Sequence, residues 1–180
     1  MPLPSLPARW AFLPLAMLCA ACNPALNWRE TRFPDTSVLA LLPCEPDHAS
    51  RSVPLGGEPR QLTMAGCDAA GGTFAVMLAD APVAQAGALL EGWRTATFAN
   101  IRARDVQTQT FHPRGALALP ESVRITATGQ RADGRQVYAQ AVWAVRIAPS
   151  DGDTQLVHAV MYSDKPMPEA AETFFGGLKF

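Results

Sequence analysis

The stretch Gln136–Ala148, QVYAQAVWAVRIA, decides the fold. Every odd position from Val137 to Ile147 is apolar, with Trp143 near the middle, while the even positions mix Gln136, Tyr138, Gln140 and Arg146 with Val142 and Ala144. Side chains alternate between faces along a strand, so this is a long strand with one face on a core. Its length and its tryptophan place it at the centre of an antiparallel sheet. Nothing in it is chemically reactive.

The flanking segments extend that sheet. Arg131-Ala132-Asp133-Gly134-Arg135 carries an Asp-Gly hairpin signal. Before it, Val123–Gly129 alternates as a second strand, with Val123, Ile125 and Ala127 against Arg124, Thr126 and Thr128. After Ala148, Pro149–Asp153 is a turn and Thr154–Ser163 a strand apolar on both faces, hence interior. Pro166 and Pro168 introduce a last helix with Ala170, Ala171, Phe174, Phe175 and Leu178 as its buried stripe.

The first half reads less cleanly. Ser37–Leu42 is a short apolar strand closed by Pro43. Cys44–Pro59 is rich in Pro, Gly and charge, and reads as a long turn or hairpin connection, tightest at Gly56-Gly57. Arg60–Cys67 and Thr73–Ala79 are strands, the latter with Phe74, Val76 and Leu78 on one face. Asp80-Ala81-Pro82 starts a helix running to about Ala99, with Ala86, Leu89, Leu90, Trp93 and Ala96 or Thr97 facing the sheet. Ala103–Phe111 is polar and β-branched, an edge strand, and His112–Pro120 is a loop. The expected order is three strands, a helix, four strands and a terminal helix. Short links require antiparallel pairing. The fold class is therefore α+β, an antiparallel sheet of about six to seven strands flanked by two amphipathic helices.

The chain has 180 residues, 48% hydrophobic and 17% charged, which suits one domain with a sizeable core. A net charge of −1 argues against nucleic acid as the default partner. The N-terminus reads as a targeting segment. Arg9 precedes a short apolar run, Trp10–Leu18, that ends in Leu18-Cys19-Ala20-Ala21-Cys22. The run is too short to span a bilayer and has the form of a secretory signal. Its end resembles a bacterial lipobox, with Cys22 as the acylated residue, although Cys19 stands where that box usually has leucine. The alternative is ordinary secretion without lipid. Asn23, rather than aspartate, after the cysteine suggests the outer membrane by resemblance to Gram-negative lipoproteins. The expected organisation is a signal peptide over 1–21, a tether or first segment over 22–35 docked through Trp28 and Phe33, and one domain over 36–180. The protein would be periplasmic, membrane-anchored by its lipid.

Two cysteines, Cys44 and Cys67, remain for the folded part, and an oxidising compartment favours a disulfide between them. Free thiols, or a metal held by Cys44, Asp47 and His48 or by Cys67 and Asp68, are the alternatives. No CxxC pair or helical His pair supports a metal.

The order of elements, with several landmarks, resembles the PsbP-like superfamily, which includes the DcrB-like bacterial lipoproteins. The landmarks are Leu42-Pro43 with Pro46, Phe74-Ala-Val-Met-Leu-Ala-Asp80 before the helix, Gly129 and Gly134-Arg-Gln-Val-Tyr138 around the hairpin, and the ending Phe174-Phe-Gly-Gly-Leu-Lys-Phe180. They span residues 36–180. The resemblance implies a flattened antiparallel sheet between helices, an α/β/α sandwich. It implies no activity, no cofactor and no catalytic residue, and fold analogy is a poor guide to function in any case.

Residues that carry chemistry are few. The sequence has no G-x-S-x-G, H-E-x-x-H, P-loop or dinucleotide fingerprint. His48 and His112 fall in expected loops, and His158 sits mid-strand as a core histidine. Asp133, Asp151 and Asp153 are explained by turns, and Asp151-Gly-Asp153 has too few oxygens for calcium. Arg102, Arg104, Arg114 and Arg124 could form a basic patch, or a solvated sheet edge. The reading is a non-catalytic, lipid-anchored envelope module that binds a partner protein or small ligand through Cys44–Pro59 and His112–Pro120. A structural or secretion-accessory component is the alternative. A hydrolase or metal enzyme with a dispersed site is a more remote one.

Overall fold

A computed structural model describes residues 25–148 and 153–180. The signal over 1–21, the lipidation site Cys22, Asn23 and the turn residues Pro149–Gly152, with Asp151, lie outside the described residues. In chain order the elements are β1 (Arg29–Arg32), β2 (Leu39–Leu42), β3 (Asp47–Leu55), β4 (Glu58–Ala69) and β5 (Gly72–Ala81). A 3-10 turn (Val83–Gln85) then leads into α1 (Ala86–Ile101), followed by β6 (Arg104–Thr110), β7 (Val123–Gln130), β8 (Gln136–Ile147), β9 (Thr154–Ser163) and α2 (Pro168–Gly176).

Seven strands form one antiparallel sheet in the order β3-β4-β5-β9-β8-β7-β6. Two meanders, β3-β4-β5 and β6-β7-β8-β9, meet at the β5–β9 pair. The class is α+β, as the alternation predicts. The middle strand is β9, and the decisive stretch β8 lies beside it. Val137, Ala139, Ala141, Trp143 and Val145 of β8 are all buried, while Ile147 is 57% exposed because it lies past the covered part of the sheet.

The sheet is covered on both faces. On one, Phe74, Val76, Val157 and Met161 pack against Ala171, Phe174 and Phe175 of α2 and against Phe33, Val38 and Leu42 of the β1–β2 ribbon. On the other, Ala141, Trp143, Val145 and Leu156 pack against Ala86, Leu89 and Leu90 of α1. A fully buried tryptophan such as Trp143 removes roughly 150–250 Å² from water, so it anchors the α1 side. Gly129 allows the end of α1 to approach the sheet: a Cβ there would stand 2.4 Å from the Ile101 carbonyl oxygen.

Two expectations are corrected. Cys44–Pro59 is not a long turn: residues 47–55 form edge strand β3, paired in unbroken register with β4. Its sequence, DHASRSVPL, is polar because seven of its nine residues are exposed, so no burial pattern marks it. The Gly56-Gly57 turn imposes the pairing. Both glycines have positive φ, +68° and +85°, as a two-residue type I′ hairpin requires. The strand expected at 37–42 is not in the main sheet either. Its core, β2, pairs with β1 as a separate two-stranded ribbon, which brings Trp28 and Phe33 onto the α2 side.

Candidate functional site

Register aligns a row of side chains across the α1 face. Met64 of β4 pairs with Met77 of β5, Met77 with His158 of β9, His158 with Trp143 of β8, and Trp143 with Val123 of β7. Helix α1 packs most closely on β8 and also reaches β9 and the edge strand β3. The Met64–Met77 end is left half-covered beneath the flank of the helix. The result is a cleft of about 390 Å³ between α1 and the β3–β4–β5 half of the sheet. That volume lies within the range of small-molecule sites.

Each wall has a sequence cause. The floor is the methionine pair with Val160 and Tyr162. Trp93, Thr97 and Asn100, at helical spacing on α1, form one wall. Alternation along β3 turns Arg51, Val53 and Leu55 toward the other wall. Methionine side chains are flexible and polarisable and adapt to irregular apolar shapes. Asp, Glu, Cys and Lys are absent from the lining among the described residues, and Arg51 carries its one formal charge.

His158 ends the cleft on the core side. It is 2% exposed, stacks on Trp143 at 4.5 Å between ring centroids, and meets Trp93 in a T-shaped arrangement with centroids 5.2 Å apart. Its Nδ1–H donates to the Val142 carbonyl oxygen at 3.0 Å. Burial lowers its pKa to about 4, against a smaller opposite effect of that hydrogen bond. The ring is therefore neutral at ordinary pH, with Nε2 as an acceptor. No carboxylate orients it, and no hydroxyl or thiol nucleophile is bonded to it among the described residues. Burial likewise raises the pKa of Tyr162, which keeps its phenol neutral.

The remaining sequence candidates do not converge on this cleft. His48 lies in β3, exposed and out of phase with Arg51 and Val53, so it faces away. His112 is exposed in the 112–120 loop. That loop is tied down, with Leu117 N–H donating to the Val145 carbonyl at 2.7 Å and Leu117 and Leu119 packed on the α1-side core. Cys44 and Cys67 form a disulfide with Cα atoms 6.0 Å apart, so neither sulfur is a metal ligand. Among the described residues, no three His, Cys, Asp or Glu side chains gather where they could hold a metal ion. Arg124 is withdrawn from any basic patch: it is ion-paired with Glu172 at 2.7 Å and lies 4.9 Å over the Phe175 ring. The hydrogen bond from Arg124 lowers the pKa of Glu172. Asp133 bonds its own turn, accepting from Arg135 N–H at 3.0 Å and Arg135 Nε at 2.7 Å.

A second cavity, of about 370 Å³, is polar and lies on the α2 face near the β1–β2 turn. Beside it Arg146, 5% exposed, donates to Gln155 Oε1 at 3.0 Å, and Gln155 Nε2 donates to Asp80 Oδ1 at 3.0 Å. This chain links a buried cation to a carboxylate across three strands. It explains why Arg146 and Gln155 can sit inside the sheet, since buried charge needs polar partners.

Sequence reasoning picked out Trp93, Trp143 and His158 but not the methionines. A signal was present: opposite Phe74, Val76 and Leu78, β5 carries Ala75, Met77 and Ala79, so its second face is also apolar. No helix among the described residues is long and apolar enough to cross a membrane. No known protein-family model matches the chain, and no curated protein matches it.

Proposed function

We propose that this chain is a non-catalytic binding module of the cell envelope, held at the membrane by a lipid on Cys22, that takes a small apolar ligand between α1 and β3–β5. The observation that carries the reading is the half-covered Met64–Met77–His158 row, an apolar cleft beside a rigid sheet. Its polar side chains, Arg51, Thr97, Asn100, His158 and Tyr162, are set among apolar ones, as in sites that use apolar contact for affinity and polar groups for orientation. His158 is buried and its one hydrogen bond goes to the Val142 carbonyl, with no carboxylate or nucleophile beside it among the described residues, which supports a binding role over general-base chemistry. The Cys44–Cys67 disulfide supports an oxidising compartment. Membership of the PsbP-like superfamily is part of the same proposal, supported by an antiparallel sheet with one helix on each face.

Titration with the apolar fluorophore N-phenyl-1-naphthylamine tests the binding role. Saturable enhancement with one site per chain is expected. A weak, linear rise without saturation overturns it. The anchor is tested by the intact mass of protein extracted from native membranes, expected to be residues 22–180 plus acyl chains. An uncleaved chain contradicts it.

A further inference from the structure

The charge at the cleft mouth narrows the ligand. Arg51 pairs across the β3–β4 hairpin with Leu62, two residues along from the Ala49–Met64 pair, and it is exposed while lining the same cleft as the methionine floor. It makes no ion pair among the described residues. The acids nearest along β3 and β4 are Asp47 and Glu58, and neither lines the cleft. An exposed cation over an apolar trough without a carboxylate is complementary to a ligand with an anionic head and an apolar body. The trough runs from Arg51 along Met64 and Met77 to the wall formed by Trp93 and His158. That gives a largely apolar row of side chains across neighbouring strands, with Arg51 the single cation in the lining.

We propose that the cleft binds an amphiphile with a single hydrocarbon chain and an anionic head, the head on Arg51 and the chain on Met64 and Met77. This rests on the reading of the cleft as the binding site. Carboxylate and phosphate heads share the required chemistry, because the guanidinium fork accepts both. A free fatty acid and a single-chain phosphate ester are the two sources.

The test is displacement of N-phenyl-1-naphthylamine from the full chain by dodecanoate, dodecyl phosphate and dodecanol, all below their micelle-forming concentrations. Either anion is expected to displace the dye at least tenfold more effectively than dodecanol. The anion that competes more strongly identifies the source. Across octanoate, decanoate and dodecanoate, affinity is expected to rise about fourfold per added methylene. Arg51→Glu should weaken the anions at least tenfold more than it weakens the dye or dodecanol. Because Arg51 is exposed, that variant keeps its fold. Equal displacement by anion and alcohol, or no dependence on chain length, overturns the inference while the dye still reports an apolar site. Absence of saturable dye binding overturns the underlying reading with it.

Discussion

The Cys44–Cys67 bridge gives a stability prediction whose size follows from the fold. The two cysteines are 23 residues apart, and the loop they close contains β3, the Gly56-Gly57 turn and most of β4. Cys44 also directly follows the β1–β2 ribbon, so the bridge fastens that ribbon's exit to the main sheet. Closing a loop of this length lowers the entropy of the unfolded chain by an amount worth about 3.4 kcal/mol at 25 °C. For a domain of this size each kcal/mol moves Tm by about 2–4 °C, so the Cys44→Ser/Cys67→Ser double variant should melt about 7–14 °C lower. Both cysteines are only partly buried, so lost packing adds little. The assay is thermal unfolding followed by circular dichroism, on the oxidised protein, on the same protein under reductant, and on the double variant. The latter two should agree. A double variant that melts within about 3 °C of the oxidised protein would refute the reasoning, since the constraint would then be worth under ~1 kcal/mol.

Three further outcomes follow from the packing. The unfolded-state pKa of His158 is near 6.5 and its folded pKa about 4, so the unfolded chain binds the extra proton between those values. Stability should fall by up to about 3 kcal/mol as pH drops from 6.5 to 4. Urea midpoints across that window should show the slope in wild type and lose it in His158→Phe. Gly129→Ala forces a Cβ against the Ile101 carbonyl and should destabilise by about 1–3 kcal/mol in urea unfolding, where a loss below ~0.5 would deny the close approach. Gln155→Ala removes the link between Arg146 and Asp80 and should cost about 2–3 kcal/mol, read in the same assay; a neutral result would show that the chain of hydrogen bonds does not hold the buried cation.

The parts of the fold legible in the sequence are those whose burial alternates. Val123–Gln130, β8 and the stripe of α2 each write their covered face into their own residues. Thr154–Ser163 is apolar on both sides because both sides are covered, and the sheet places it in the middle. By contrast, β3 has no such record. Its backbone is fixed by a turn and a partner strand while its side chains face solvent, so composition there describes exposure and not conformation. Ser37–Leu42 fails for a related reason: a short apolar strand declares that it is buried without declaring which partner it has. The cleft was less legible still. Met64 and Met77 carry no motif and come together only through the β4–β5 register, which is set by the positive-φ turn at Ala70-Gly71. His158 and Trp143 stand out by residue type, but their stacking depends on the β8–β9 register.

The measurement that bears most directly on the account is dye binding by a variant in which the trough is filled. Met64 lies half-buried on the cleft floor, so Met64→Trp adds bulk where the ligand would sit. Its Tm and circular dichroism should stay close to wild type. The account predicts saturable N-phenyl-1-naphthylamine binding by the wild-type protein and at least a tenfold loss in Met64→Trp. Folded variant protein that binds the dye as tightly as wild type would place the apolar site elsewhere and contradict the central claim.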